Sequence, residues 1–202
     1  MTALTSRKIV LASNNSGKLA EFQRLFSAVN IDILPQGQLG VTEAEEPFST
    51  FVENALAKAR HASAATGLPA VADDSGLSVL ALNGAPGVYS ARYAAQQGAG
   101  QGDADNNAAL LKNMAGLSDR KACFVAVLVY VNSPDDPRPL IAEGVWWGEV
   151  AQSAKGEHGF GYDPIFFVPE LNLHAAELSA EQKNQYSHRA QALQLLLERF
   201  NY

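Results

Sequence analysis

The sequence lacks the cysteines for a disulfide framework and the long apolar stretches of a membrane protein. Cys123 is the only cysteine among the 202 residues, so neither an internal disulfide nor a cysteine zinc site can form. The longest apolar run, residues 122–131, covers about ten residues, whereas a membrane helix needs roughly twenty. Residues 1–8 contain no apolar core of a signal peptide. We therefore expect a cytoplasmic protein with no membrane partner, and a buried, inert thiol at Cys123.

Positive charge and clustered histidines are also scarce. Fifteen Lys and Arg residues stand against 21 Asp and Glu residues, which gives a formal net charge of -6. Nucleic-acid binding needs clustered Lys and Arg along the phosphate backbone, so this balance argues against a nucleic-acid partner. The 4 histidines lie far apart in the sequence and match no zinc-ligand spacing. The same charge balance is compatible with one small phosphorylated ligand that carries a metal ion.

The residues that are present suit a folded α/β protein. Hydrophobic residues make up 47% of the chain and charged residues 18%, so a real core can form. Apolar residues at three- and four-residue spacing predict helices, and short apolar runs bounded by turn residues predict strands. The predicted strands cover residues 8–12, 31–34, 70–72, 77–82, 121–132, 140–150 and 165–168. The predicted helices cover residues 18–29, 50–65, 103–114 and 179–200, the last with a break near Ser187. Alternating helices and strands, followed by clustered strands, indicate an α/β fold with a mixed sheet.

Two adjacent carboxylates close the predicted strand at residues 70–72. Asp73 and Asp74 are followed by Ser75 and Gly76, and the glycine would allow a sharp turn there. Carboxylates at a strand end can hold a hard cation, and one of them can orient or deprotonate a water molecule. The alternative is an ordinary polar turn, because Asp, Ser and Gly dominate turns.

A polar segment between the first predicted strand and helix has the character of an anion site. Its residues are Ser13, Asn14, Asn15, Ser16, Gly17 and Lys18. A helix N-terminus offers N–H groups and a positive dipole end, and Lys18 adds a charge. The segment is not a P-loop, because Ala12 and Leu19 stand where that pattern needs a glycine and a Ser or Thr. A phosphate-holding turn of another type and an ordinary Asn/Gly connection both remain open.

Glutamates and a lysine flank the start of the second predicted helix. Glu45 and Glu46 belong to an acidic cluster before that helix, and a solvated acidic loop is one explanation for it. If one of them reaches Asp74, the pair suits Mg²⁺, which binds through one or two carboxylates, waters and substrate phosphates. Asn54 and Lys58 are four residues apart and share a helix face, so Lys58 could reach a phosphate.

Aromatic rings and hydrogen-bond donors in the last quarter of the chain suggest a site for a nucleobase. The candidates are Phe160, Gly161, Tyr162, Asp163, Lys183, His188 and Arg189. The first four form a tight bend that displays rings beside a carboxylate, and aromatic faces stack on bases. Arginine, lysine and histidine can donate to a carbonyl oxygen on a base edge. The alternatives are a β-turn with core aromatics and a charged helix surface.

These motifs, in this order, resemble the inosine triphosphate pyrophosphatase family, the Ham1-like XTP/dITP diphosphatases. The match extends from about residue 9 to residue 197. It rests on SNNSGK at 13–18, FVENA at 51–55, ADDSGL at 72–77, GAPGVYSARY at 84–93, GFGYDPIF at 159–166 and SHR at 187–189. Each fragment is moderately specific, and the ordered set is very specific.

The resemblance implies a fold, a reaction and an assembly. The expected fold is a mixed, twisted sheet with flanking helices, in two lobes around a central nucleotide cleft, within one domain over residues 1–202. The expected reaction is Mg²⁺-dependent hydrolysis of the deaminated purine nucleoside triphosphates ITP, dITP and XTP to a monophosphate and pyrophosphate. Such an enzyme keeps these nucleotides out of DNA and RNA. A homodimer is the expected assembly, and the purine nucleoside triphosphate is the expected partner.

Positions in the family motifs also imply residue roles. Asp74 is the expected proton acceptor and a metal ligand, with Glu46 as the second metal-side carboxylate, although Glu45 is adjacent. The residues expected at the triphosphate are Ser13, Asn14, Asn15, Ser16, Gly17, Lys18, Lys58 and Ser75. The residues expected at the base and ribose are Phe160, Gly161, Tyr162, Asp163, Lys183, His188 and Arg189.

Two rival functions remain at this point. A nucleotide-binding sensor would keep the pocket without the chemistry, although it would not need Lys18 and the carboxylates of Asp73 and Asp74. A pyrophosphatase for other nucleotides, such as modified pyrimidines, would keep both. A panel of ITP, XTP, dUTP and the four common triphosphates separates these readings.

Overall fold

The computed structural model describes residues 7–27 and 31–200. The strands are β1 (Arg7–Leu11), β2 (Ile31–Pro35), β3 (Ala70–Val79), β4 (Lys121–Val131), β5 (Leu140–Val150), β6 (Phe166–Val168) and β7 (Leu173–His174). The α-helices are α1 (Ser16–Ser27), α2 (Phe51–Thr66), α3 (Tyr93–Gln96), α4 (Asp103–Asn113), α5 (Ala180–Tyr186) and α6 (His188–Phe200). None of the helices within these ranges is long and apolar enough to cross a membrane.

The strands form one mixed sheet, which confirms the predicted α/β class. The strand order is β2-β1-β3-β4-β5-β6-β7. β1 pairs in parallel with both β2 and β3, whereas β6 pairs antiparallel with both β5 and β7. Parallel pairs require a crossover connection, and α1 and α2 supply helices between β1, β2 and β3 along the chain. The alternating helices and strands predicted from the sequence therefore form the parallel part of the sheet.

β1 is the buried parallel strand that its sequence predicts. Ile9, Val10 and Leu11 are each 0% exposed, as expected for a strand covered on both faces. In α1 the rings of Phe22 and Phe26 are buried and lie 6.0 Å apart, one helical turn from each other. The predicted end of this helix at residue 29 lies outside the described residues.

The chain divides into two compact units. The described residues of the first unit fall within Met1–Asp74, Val127–Glu143 and Ala192–Tyr202. Those of the second unit fall within Ser75–Ala126 and Gly144–Gln191. The chain changes unit within β3, β4, β5 and α6. One of these changes falls on the peptide bond between Asp74 and Ser75, in the middle of the motif that the sequence singles out.

The second unit has an aromatic core. Phe124 on β4 packs against two rings, with its centroid 4.5 Å from that of Phe166 and 6.3 Å from that of Trp146. Tyr162 belongs to the same buried cluster. Cys123 is 8% exposed and buried, as predicted from its place in an apolar run.

The predicted turn at the paired aspartates is wrong. β3 continues without interruption from Ala70 to Val79, so Asp73, Asp74, Ser75 and Gly76 all lie within a strand. Gly76 has no left-handed backbone conformation, and its role is close approach. A Cβ atom there would lie 2.3 Å from the carbonyl oxygen of Gly87 and 2.5 Å from Ser90 Oγ. The carboxylates are tolerated inside a strand because lysines compensate their charge, as described below.

Smaller corrections concern segment ends and short elements. The strand predicted over residues 77–82 ends at Val79, and Leu80–Leu82 forms a 3₁₀ turn that ends at Asn83 with φ 52°. The short elements α3 and β7 were not predicted, since four and two residues carry no period of their own. The predicted break near Ser187 is confirmed, because α5 ends at Tyr186 and α6 begins at His188.

Substitution of Gly76 by alanine should destabilise the second unit. The added Cβ would overlap a backbone carbonyl, which cannot move aside as a flexible side chain can, so we expect a loss of about 3 kcal/mol in the free energy of unfolding. Urea denaturation measures it. Gly98→Ala is the control, since its Cβ meets open space and only the left-handed φ of 63° opposes it, at about 1 kcal/mol. Equal losses in the two variants would contradict the close-approach explanation.

Candidate active site

Asp74 is the centre of a charged cluster in the first unit. Its side chain is buried, and its Oδ1 atom lies 2.8 Å from the ammonium nitrogen of Lys58. The same nitrogen lies 2.6 Å from Glu46 Oε1. The second oxygen of Asp74, Oδ2, accepts a hydrogen bond from Asn54 Nδ2 at 3.3 Å. Two carboxylates from distant parts of the chain therefore face one cationic atom.

The start of α2 explains why these groups meet. Thr50 caps the helix, because its side-chain oxygen accepts the backbone N–H of Glu53. With the first turn fixed, Asn54 and Lys58 stand one turn apart on the same face and both contact Asp74. The sequence predicts this shared face. It leaves open which glutamate lies close, and the structure places Glu46 on Lys58.

Burial and charge act in opposite directions on this cluster. Burial raises the pKa of the Asp74 carboxyl above its usual range, and the positive charges of Lys58 and Lys18 only partly offset this. Burial would lower the pKa of Lys58, but the carboxylates of Asp74 and Glu46 outweigh it, so the pKa of this ammonium is raised. The cluster therefore holds Lys58 firmly charged and makes Asp74 more basic than an ordinary aspartate.

The donor set suits a hard divalent cation. Asp74 and Glu46 supply carboxylate oxygens that both contact the ammonium nitrogen of Lys58. Within residues 7–27 and 31–200, no group of three or more His, Cys, Asp or Glu side chains could hold a metal ion by itself. A two-carboxylate site is typical of Mg²⁺, which completes its shell with waters and substrate phosphates. The residues present fit such an ion.

The polar segment before α1 forms a capped helix N-terminus. Asn15 Oδ1 accepts the backbone N–H of Lys18 at 3.0 Å, and Ser13 Oγ accepts that of Asn15 at 3.2 Å. Asn14, Asn15 and Ser16 are exposed. The ammonium of Lys18 lies 2.8 Å from Oδ2 of Asp73, whose side chain is 0% exposed. Adjacent aspartates thus each bind a lysine from a different helix.

A second cluster, in the second unit, is built around Phe160. Its neighbours Gly159 and Gly161 have φ of 78° and 62°, so both flanking positions need glycine. Gly161 is held on both sides, because its N–H donates to Asp103 and its carbonyl accepts from Asn107. The predicted tight bend is therefore a loop that fixes the backbone on either side of one aromatic ring.

Two cations face the Phe160 ring. The ammonium of Lys183 lies 5.0 Å from the ring centroid, and the guanidinium carbon of Arg189 lies 5.2 Å from it. Lys183 is anchored by Asp163, whose Oδ2 lies 2.6 Å from Nζ and also accepts the N–H of Phe160. Arg189 donates from Nη2 to Ser75 Oγ at 2.8 Å.

The break between α5 and α6 places Arg189 in this cluster and the preceding His188 on Phe124. Ser187 caps α6, since its Oγ accepts the N–H of Ala190. His188 is 2% exposed and stacks on Phe124, with ring centroids 4.8 Å apart and an interplanar angle of 10°. Phe124 is a supporting residue that the sequence did not single out, because it lies in an uninterrupted apolar strand. Its ring fixes the imidazole plane.

Tyr162 has a different place from its neighbours. The ring is 3% exposed within the apolar core, and its hydroxyl donates to the carbonyl of Ser90 at 2.8 Å. Burial raises the pKa of this hydroxyl, so it stays protonated. Tyr162 thus anchors the loop that carries Phe160 to the apolar core. For this residue the sequence alternative of a core aromatic is the one that the structure has.

The structure brings the predicted residues together in two sets. Asp74, Glu46 and Lys58 form one set in the first unit, where Lys18 binds the neighbouring Asp73. In the second unit the base candidates form the other set, whose members are Phe160, Asp163, Lys183, Arg189 and the residue that Arg189 binds, Ser75. Asn54 was noted only for its spacing from Lys58, and its contact with Asp74 was not predicted.

Comparisons with known proteins place this chain in a family. A family model described as the Ham1 family matches residues 9–199. The chain is 62% identical to a dITP/XTP pyrophosphatase of Ralstonia nicotianae, over 96% of either chain, and 63% identical to one of Burkholderia pseudomallei, over 95% of this chain and 92% of that protein. It is similar to the solved structure of a HAM1 protein from Coxiella burnetii, with a TM-score of 0.87 and 50% identity, over 97% of this chain and 100% of that one.

The raised pKa of Asp74 predicts a pH dependence of stability. Its folded pKa lies above the ordinary value of 3.8, so its contribution is fully present below pH 3.8 and is lost as pH rises through the folded pKa. We therefore expect the free energy of unfolding of the wild type, minus that of Asp74→Asn, to fall with rising pH over this window and then level off. Denaturant titrations in the presence of a chelator measure it. A difference that grows with pH would mean that the pKa is lowered instead.

Proposed function

The chain belongs to the Ham1 family, and on this premise we propose that it hydrolyses the deaminated purine nucleoside triphosphates ITP, dITP and XTP. The products are the nucleoside monophosphate and pyrophosphate, so the enzyme keeps these nucleotides out of DNA and RNA. One observation carries the proposal for this chain: the buried carboxylate of Asp74 faces the same cationic point as Glu46. A nucleotide sensor would not need these two carboxylates, so their arrangement supports an enzyme.

Asp74 and Glu46 are the residues that would hold Mg²⁺. Bound there, the ion supplies Lewis acidity, which withdraws charge from the phosphoryl oxygens at the bond to be cleaved. Before substrate arrives, the single positive charge of Lys58 offsets part of the repulsion between the two carboxylates. The hard oxygen donors and the small number of protein ligands favour magnesium over softer metals.

Asp74 also serves as the proton acceptor for the attacking water. Burial raises its pKa, so its carboxylate is a stronger base than an exposed aspartate at neutral pH. Asn54 and Lys58 hold the two carboxylate oxygens by separate contacts, which fixes the orientation of the carboxylate plane. Water attacks the α-phosphorus, the α–β anhydride bond breaks, and pyrophosphate leaves.

Lys18 and Lys58 offset the charge of the triphosphate, and the polar segment at the start of α1 binds it. The segment consists of Ser13, Asn14 and Asn15 before α1 and of Ser16 and Gly17 in its first turn, and its position at a helix N-terminus favours anions. Lys18 is held at a defined place by Asp73, so its charge is fixed before substrate binds. Such preorganised charge lowers the barrier of phosphoryl transfer without reorganisation during the step.

The cluster around Phe160 selects the base. The ring offers a stacking face, and Lys183, His188 and Arg189 offer donors for the 6-keto oxygen of hypoxanthine or xanthine. Adenine presents an amino donor at that position, so a buried donor of the protein would be left unpaired, at a cost of about 1–3 kcal/mol. We further propose that the enzyme acts in the cytoplasm as a homodimer and binds no nucleic acid.

The reaction test uses Mg²⁺ with ITP, dITP, XTP, dUTP and the four common triphosphates, with product identification by chromatography. ITP should give IMP and pyrophosphate, and IDP with phosphate would mean that a different bond is cut.

Asp74→Asn should lower kcat by at least about 1,000-fold, since it removes the base and a metal ligand. Asp136→Asn is the matched control, because Asp136 is equally buried but lies in the loop after β4, and it should turn over normally. Binding of ITP without hydrolysis by the wild type would favour the sensor, and preference for dUTP the pyrimidine enzyme.

Loss of Arg189 should weaken base selection. Arg189→Ala removes one donor and one cation from the Phe160 ring, so we expect kcat/KM for ITP relative to ATP to fall by about tenfold or more. Arg120→Ala is the matched control, since Arg120 binds only backbone carbonyls of the same unit among its described contacts. It should lose stability but keep the ITP/ATP ratio. An unchanged ratio in Arg189→Ala would remove this residue from base recognition.

A further inference from the structure

The segment that carries Glu46 has no regular secondary structure of its own. Residues 41–48 form neither helix nor strand, and most of them from Thr42 to Phe48 are exposed. The ring of Phe48 is itself 41% exposed, so apolar packing does little to hold the segment there. Yet Glu46 must meet Lys58 at a defined place. Some polar contact has to hold this backbone against α2.

Asn54 makes that contact with its side-chain amide. Its Oδ1 accepts the N–H of Phe48 at 3.0 Å, and its Nδ2 donates to the carbonyl of Phe48 at 3.1 Å. The same Nδ2 donates to Asp74 Oδ2 at 3.3 Å. Asn54 is 1% exposed, so solvent cannot replace these partners. One side chain therefore binds both the segment after Glu46 and the carboxylate of Asp74.

The partners allow only one orientation of this amide. A backbone N–H requires an acceptor, whereas a backbone carbonyl and a carboxylate require donors. Each amide hydrogen of Asn54 has its own acceptor, and the oxygen has its own donor. A rotation by 180° would set oxygen against oxygen at both the Phe48 carbonyl and Asp74. The fixed amide of Asn54 therefore sets the position of the Phe48 backbone relative to the Asp74 carboxylate.

We propose that Asn54 is a positioning residue that fixes the separation between the carboxylates of Glu46 and Asp74. Phe48 follows Glu46 by two residues, so pinning its backbone restricts where the Glu46 side chain can reach. This inference rests on the proposed function, in which these two carboxylates hold the divalent ion. Asn54 acts through the two groups that it binds, the backbone of Phe48 and the carboxylate of Asp74.

The matched structural control is Ser63, which lies on the same helix. Ser63 is 0% exposed and donates to the carbonyl of Leu68 at 2.8 Å, so its loss also leaves a buried polar group unpaired. It has no described contact with Asp74 or with the segment at residues 41–48. Asn54→Ala and Ser63→Ala should therefore be similarly destabilised, and only the first should disturb the ion site.

The experiment compares wild type, Asn54→Ala, Asn54→Asp and Ser63→Ala by three measurements. Amide hydrogen exchange at Phe48 should be about tenfold faster in Asn54→Ala, because its acceptor is lost, and unchanged in Ser63→Ala. Binding of Mg²⁺ alone, by calorimetry, should be about tenfold weaker in Asn54→Ala. The kcat for ITP at saturating Mg²⁺ should fall by about 10- to 100-fold, with a smaller change in KM.

Asn54→Asp keeps the acceptor for the Phe48 N–H but places a carboxylate oxygen against both the Phe48 carbonyl and Asp74. It should retain protection of the Phe48 N–H and still lose kcat, which shows that the two contacts of Nδ2 matter as well as the anchored N–H. Normal kcat in either Asn54 variant, or equal losses in Ser63→Ala, would overturn the proposal. If wild-type protein fails to hydrolyse ITP, the proposed function is refuted, whereas Phe48 exchange and Mg²⁺ binding still test Asn54.

Discussion

The compensation of buried charge around Lys58 is the constraint on which the candidate site in the first unit depends. Lys58, Asp74 and Glu46 are brought from a helix, a strand and an irregular segment to one place, and Asp74 and Lys58 are both largely withdrawn from water. A buried ion that loses its partner is strongly destabilising, so none of the three positions tolerates a neutral replacement alone without loss. Burial of this cluster, which the lysine charges only partly offset, makes Asp74 more basic than usual. Charge compensation and reactivity are therefore properties of one cluster, and a variant that changes one changes the other.

In the second unit, carboxylates also hold cations in place, here around the ring of Phe160. The polar groups of this unit surround this aromatic ring, whose loop is fixed by two glycines, by Asp103 and by Asn107. Asp163 anchors the ammonium that faces this ring, as Asp73 anchors Lys18 in the first unit. In each case an acidic residue holds a cation in place before any ligand arrives. Rigid donors discriminate between ligands better than mobile ones, because mobile donors can turn to suit the wrong ligand.

Local signals in the sequence were enough for much of the fold and for the residue types of the site. The apolar spacing over residues 50–65 and the four-residue spacing of Asn54 and Lys58 predict α2 and the face that these two side chains share, and the structure has both. The break at Ser187 is local chemistry of the same kind. The continuity of β3 was not predictable, because buried Asp73 and Asp74 look like turn residues until their lysine partners are known. Those partners lie far away in sequence, so no local pattern reveals them.

Contacts that depend on shape were also invisible in the sequence. Gly76 suggests a sharp turn in the sequence, whereas it is required by the approach of the Gly87 carbonyl. Phe124 reads as one apolar residue among ten, whereas it supports the ring of His188. Asn54 reads as a helix surface residue, whereas all of its amide atoms are used. In each case the deciding partner is a neighbour in space that belongs to another segment, and side-chain type alone does not identify it.

The burial of Cys123 has a practical consequence for experiments on this protein. Thiol-reactive reagents attack the exposed thiolate, and Cys123 is 8% exposed and buried in the second unit. A cysteine introduced at an exposed position would therefore be the fast-reacting thiol of the chain, and the native one need not be removed. Dyes or spin labels can then be attached at chosen positions on the folded, active protein.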